Sequence, residues 1–121
     1  MSHLKAFILL DMIGDADLNL ANISSNDETL NDAIGPLAQA LGLIEGREAC
    51  PGVEVRDIYQ PGTSVDIMDD HVRLNNVGVP AVDLIDHRYG QNATGFANSY
   101  WHTLEDTPDK VSADALETVM H

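Results

Sequence analysis

The residues best placed to do chemistry lie in Tyr100-Trp101-His102-Thr103-Leu104-Glu105-Asp106-Thr107, which holds the only Trp beside an imidazole and two carboxylates. An imidazole binds metal through one ring nitrogen while a neighbour holds the other, and an indole beside it can wall a substrate pocket. The plainer alternative is an aromatic–His pair that closes a loop. Asp11 directly follows Phe7-Ile8-Leu9-Leu10. A carboxylate delivered by a strand has the fixed geometry a metal ligand needs, although an acid there can equally cap a turn. Asp69-Asp70-His71 sets two carboxylates beside an imidazole. Such acids can share a proton, with one pKa raised, or they can cap a helix start, where they suit the helix dipole. His71 by itself reads as structural. Asp83 and Asp86 flank the end of a second apolar run, and Asp83 stands where a buried acid would need a partner. His3, His87 and His121 fall outside these groups and read as surface residues. There is no nucleophile elbow and no phosphate-binding glycine loop.

The elements that must position these residues follow from periodicity. Ala6-Phe7-Ile8-Leu9-Leu10 predicts a strand, apolar on both faces and so suited to a central place between helices. Ser25 to Glu28 has capping-box spacing. Leu30, Ile34, Leu37 and Leu41 recur behind it at helical spacing, with Gly35-Pro36 as a kink or restart and Gly42 as a stop. Val53 to Ile58 predicts a short strand and Pro61-Gly62-Thr63-Ser64 a turn. Asp69-Asp70-His71 opens a short helix that ends near Gly78. Val79 to Ile85 predicts a second buried strand, His87 to Tyr100 a loop long enough to be functional, and Ser112 onward a helix. Strands alternating with helices predict an α/β sheet protein, whose ligands bind beyond the carboxyl ends of the strands. Asp11 lies at that edge, and His102 can reach it.

Composition narrows the partners. The 121 residues make one domain or part of one. Twenty acidic against six basic residues give a net charge of -14, which argues against nucleic acid and anionic membrane surfaces as partners. No apolar run approaches the roughly 20 residues of a membrane span, and no signal peptide is visible. Cys50 is alone, which excludes an internal disulfide and a thiolate zinc cluster. Asn22-Ile23-Ser24 and Asn92-Ala93-Thr94 fit the glycosylation pattern, a common one by chance.

Taken in order, Leu9-Leu10-Asp11-Met12-Ile13-Gly14-Asp15, Asp69-Asp70-His71-Val72, Gly78-Val79-Pro80-Ala81-Val82 and Tyr100-Trp101-His102-Thr103 through Asp106-Thr107 resemble the C-terminal half of the zinc aminopeptidase family M28, which includes the glutaminyl cyclase-like enzymes. Val111-Ser112 leading into a helix also fits. The resemblance implies a mixed-sheet, zinc-exopeptidase-like α/β sandwich with flanking helices, of which residues 1–121 are one incomplete catalytic domain. It implies one or two zinc ions in the complete domain. Asp11 and His102 match metal ligands of the two-metal aminopeptidases. In the single-zinc cyclases the histidine binds zinc, and the aspartate joins a carboxylate network. Asp69 matches another acid of that network and Trp101 a pocket wall, with Asp70, His71 and Asp83 as supports. The Asp-Asp-His form looks closer to the cyclase branch.

The implied substrate is a peptide N-terminus. It would be hydrolysed by zinc-activated water or, in a cyclase, cyclised by attack of the amine on its own γ-amide. The family's Glu-Glu pair belongs upstream and is absent here. Since a catalytic zinc takes about three protein ligands, this chain alone is expected to be inactive. The expected partner is a missing N-terminal half or a second copy, and a non-catalytic assembly module is a third reading. Family resemblance implies a secreted or periplasmic setting. Arg73-Leu74-Asn75 stands where relatives commonly carry a Pro-Phe-Leu-like run, so Asn75 is expected to weaken packing there or to face a new partner.

Overall fold

The computed structural model describes residues 4–44, 58–90, 97 and 99–120. Its elements run β1 (Phe7–Asp11), β2 (Leu20–Ile23), α1 (Glu28–Ala40), β3 (Tyr59–Val65), α2 (Asp70–Asn76), β4 (Ala81–Ile85) and α3 (Ala113–Met120), with a 3-10 turn at Pro108–Lys110. The fold is α/β. β1 pairs in parallel with β4, Leu9 opposite Asp83 and Asp11 opposite Ile85. β2 pairs in parallel with β3, and an antiparallel bridge between Leu20 and Asp86 joins the two pairs. Among the described residues, no helix is long and apolar enough to cross a membrane.

Two apolar clusters hold these strands. Leu18, Leu20, Ala38, Leu43, Tyr59 and Ala115 bring α1 and α3 together. Ala21, Ile23, Ile67 and Ile85 pack with Met12 and Val65 beneath the strand ends. β2 has only four residues, one of them Asn22, and nothing in the sequence announces it. Between β2 and β4, side chains take the place of a ladder. Asn26 accepts from Asp83 N–H at 2.7 Å and donates to Asp83 C=O at 3.3 Å. Asn75 does the same for Ala81, at 2.7 and 3.0 Å. A carboxamide has the donor and acceptor of a peptide unit, so each Asn pairs β4 as one residue of a neighbouring strand would.

Several sequence expectations need correction. Ser25 does not cap α1; Asp27 does, accepting from Leu30 N–H at 3.0 Å. α1 runs through Pro36 without the restart expected there. The turn expected over Pro61–Ser64 lies inside β3, where the register slips from Ala21–Gln60 to Asn22–Ser64. Residues 61–63 are thus an irregularity of the ladder, and such a place tolerates a proline with no N–H to give. Asn75 does not weaken its surroundings, because it anchors the start of β4. His87 is buried rather than on the surface, since the chain after β4 is drawn inward by Asp86, whose carboxylate accepts from Asn19 and Arg88 N–H. β1 is covered on one face only. Ile8 and Leu10 are exposed, while Phe7, Leu9 and Asp11 are partly buried. The strand expected over Val53–Ile58 lies outside the described residues but for Ile58, as do Cys50, His3, His121 and the triplet at Asn92.

Candidate active site at the strand ends

β1 and β4 carry Asp11 and Asp83 on one face. Residues paired across a parallel ladder share a face, and Asp83 lies two residues before the partner of Asp11. α2 packs over these strands. Asp69 caps α2, accepting from Asp70 N–H at 2.6 Å, so the cap expected of Asp69-Asp70-His71 is present. Its charge also bears on both strand acids. Asp83 has no exposed surface, and neither carboxyl oxygen has a hydrogen-bond partner. Burial first, then the charges of Asp11 and Asp69, push its carboxyl up to about 7. Burial, then Asp69, also raises Asp11, against the lowering effect of the Met12 N–H. Three clustered acids therefore carry fewer than three charges near neutrality.

Behind them His71 is fully buried, with Nε2 2.8 Å from Ser25 Oγ and Nδ1 3.9 Å from Asp83 Oδ2. Asp70 lines a separate groove of about 470 Å³ with Met68, Asp69 and Arg73.

Two clefts meet at Trp101. One of about 260 Å³ is lined by Asp66, Met68, Asp69 and Ile85. The other, about 440 Å³, is lined by Gly14, Tyr89, Asp106 and Leu116. Asp11, Met12 and Trp101 wall both. His102 lines neither; its ring stacks on Trp101, with centroids 3.8 Å apart and planes at 15°. Met12 and His102 are the non-glycine residues of positive φ among those described, at 51° and 58°. One follows Asp11 directly and the other is the candidate ligand itself, and strained backbone concentrates at functional sites.

The loop that presents Trp101 is tied down from several sides. Tyr89 meets Tyr100 edge to face at 5.8 Å, and its hydroxyl donates to Asp106 at 3.1 Å. Gly90 has φ 116° and lies so close to the Tyr100 ring that a Cβ would approach it to 3.1 Å. Its N–H donates to the buried Asp15 carboxylate at 2.6 Å. Asp15 was not singled out from sequence. Its signal was its place four residues past the end of an acid-ended strand, which periodicity does not read.

Among the described residues, no three His, Cys, Asp or Glu side chains converge as a metal site. Those residues do not by themselves fit zinc, which takes about four ligands. The model of peptidase family M28 matches residues 1–121. A solved structure of an Acidobacteriales bacterium glutaminyl cyclase is 35% identical, with a TM-score of 0.74. The match covers 95% of this chain and 35% of that one, so this chain spans about a third of the cyclase's length. No curated protein matches.

Proposed function

This chain belongs to peptidase family M28, and from that premise we propose that it forms the carboxylate and aromatic side of a glutaminyl cyclase-like active site. The observation that carries the reading is the buried Asp83 carboxyl, without a hydrogen-bond partner, on the strand face it shares with Asp11. Cyclisation of an N-terminal glutamine takes a proton from the attacking amine and returns one to the departing ammonia. That needs groups that hold and release a proton near the operating pH. Asp11 receives the proton at the cleft wall that Asp69 also lines, with buried Asp83 behind them. Trp101 lays an apolar wall along the glutamine side chain.

The 35% identity to a glutaminyl cyclase supports the same reading. M28 members are typically zinc-dependent. In this reading His102 would be this chain's contribution to a zinc site, and the zinc would supply polarisation of the γ-amide. The aminopeptidase alternative draws on the name of the family.

A chimera distinguishes them: residues 4–120 of this chain replace the matching third of the Acidobacteriales cyclase. Ammonia release from a glutaminyl peptide is expected, with Asp11→Asn lowering it about a hundredfold or more. Release of an aminoacyl chromophore without ammonia would establish the peptidase instead. The 121-residue chain alone is expected to do neither.

A further inference from the structure

Ser25, His71 and Asp83 stand in the order of a hydrolytic triad, yet the geometry gives them another task. His71 and Asp83 have no exposed surface, and the Ser25 hydroxyl donates to Ile67 C=O at 2.5 Å. A serine hydroxyl has one hydrogen. With that hydrogen given to Ile67, the oxygen can only accept from His71, so the ring hydrogen sits on Nε2, 2.8 Å away. Burial lowers the His71 pKa, against the effect of Asp69, so the ring is neutral and carries that hydrogen alone. Nδ1 is then bare, and it faces Asp83 Oδ2 at 3.9 Å. Neither atom has a hydrogen-bond partner. Two buried acceptors left facing each other each forfeit the hydrogen bond that water would have given them. A proton on the carboxyl removes that cost once the two side chains close the 3.9 Å between them by about 1 Å to hydrogen-bond length.

We propose that Asp83, His71, Ser25 and the Ile67 carbonyl form one directional hydrogen-bond chain, in which the Asp83 carboxyl donates to Nδ1, Nε2–H to Ser25 Oγ, and the Ser25 hydroxyl to Ile67. His71 and Ser25 are then positioning residues that hold Asp83 in its protonated form and fix which of its oxygens is engaged. The arrangement stands on the Ser25 and His71 hydrogen-bond geometry together with the neutral state of the buried ring; the catalytic use of it rests on the cyclase reading above.

The test is the tautomer of His71 in the intact chain, read by NMR from the ¹⁵N shifts of its two ring nitrogens. A hydrogen on Nε2 with bare Nδ1 is expected. A hydrogen on Nδ1, or on both nitrogens, overturns the proposal. Ser25→Ala removes the acceptor and is expected to move the ring hydrogen to Nδ1; Ser25→Thr is expected to return it to Nε2. A ring hydrogen that stays on Nε2 in Ser25→Ala sinks the role given to Ser25. In the chimera, Ser25→Ala is expected to lower kcat about tenfold with KM unchanged, and an unaltered kcat overturns the positioning role. If the chimera cyclises nothing while His71 keeps its Nε2 hydrogen, the functional reading fails and the hydrogen-bond chain stands.

Discussion

His102 holds φ at 58°, a backbone state that costs a side-chain-bearing residue roughly 1–2 kcal/mol. His102→Gly is expected to raise stability by about 1 kcal/mol in urea unfolding, and His102→Ala to give no such gain. Equal stability of the Gly and Ala variants would show that the turn is unstrained. Asp83 makes a second residue-scale prediction. Folded, it keeps its proton up to about pH 7, against 3.8 as the ordinary value. The native state therefore binds more protons between those limits, and stability falls as pH rises through that window and levels off above it. At about 1.4 kcal/mol per pKa unit, the loss is up to about 4 kcal/mol, and the raised Asp11 acts in the same direction. Buried His71 and His87, whose pKa values are lowered, act the other way, so the Asp83 contribution is the difference between wild type and Asp83→Asn. Thermal midpoints at pH 4.5, 6 and 7.5 read it, and a wild-type advantage that does not fall as pH rises would refute it. Asp11, the Asp69 cap and the Trp101–His102 pair were legible in sequence because each announces itself locally, by a strand end or an aromatic neighbour. The link from Ser25 to His71 was not, since 46 residues separate its ends and capping-box spacing pointed Ser25 elsewhere.

At the scale of elements, β4 owes its position to side chains as much as to β1. Asn26 and Asn75 pair its second edge, and Asp27 N–H adds a bond to Ala81 C=O at 2.9 Å. Asn75→Leu, which moves this segment toward the apolar run of its relatives, takes its hydrogen-bonding partner from the Ala81 N–H. The expected cost is about 2 kcal/mol or more, seen as a lower urea midpoint at unchanged slope; an unchanged midpoint would mean that water replaces the amide. Sequence patterning placed α1, β1, β4 and α3 by their apolar spacing, and α2 by the acids at its start and the glycine at its end. It missed β2, and it read the slipped part of β3 as a turn, because Pro61-Gly62 has the same local chemistry in either setting. What separates the two is pairing with a strand some forty residues away.

For the molecule as a whole, the bare face of β1 is the feature that bears on assembly. Ile8 and Leu10 are 59% and 44% exposed on the strand that carries Asp11, in a chain that spans 35% of the cyclase's length. We expect the rest of such a domain to cover this face. Ile8→Gln with Leu10→Gln is therefore expected to cost the isolated chain less than about 0.5 kcal/mol, as exposed substitutions do, and to unfold or inactivate the chimera. A chimera that tolerates both changes would show that the face stays open. In the isolated chain the same pair is expected to reduce self-association, read by light scattering at high concentration. The stacked rings of Trp101 and His102 have a last, optical consequence. Trp101 is the only indole in the molecule, so its long-wavelength emission comes from the wall between the two clefts. Whatever draws His102 off that ring changes the surroundings of the indole, and the chain carries its own gauge of whether its candidate ligand is engaged.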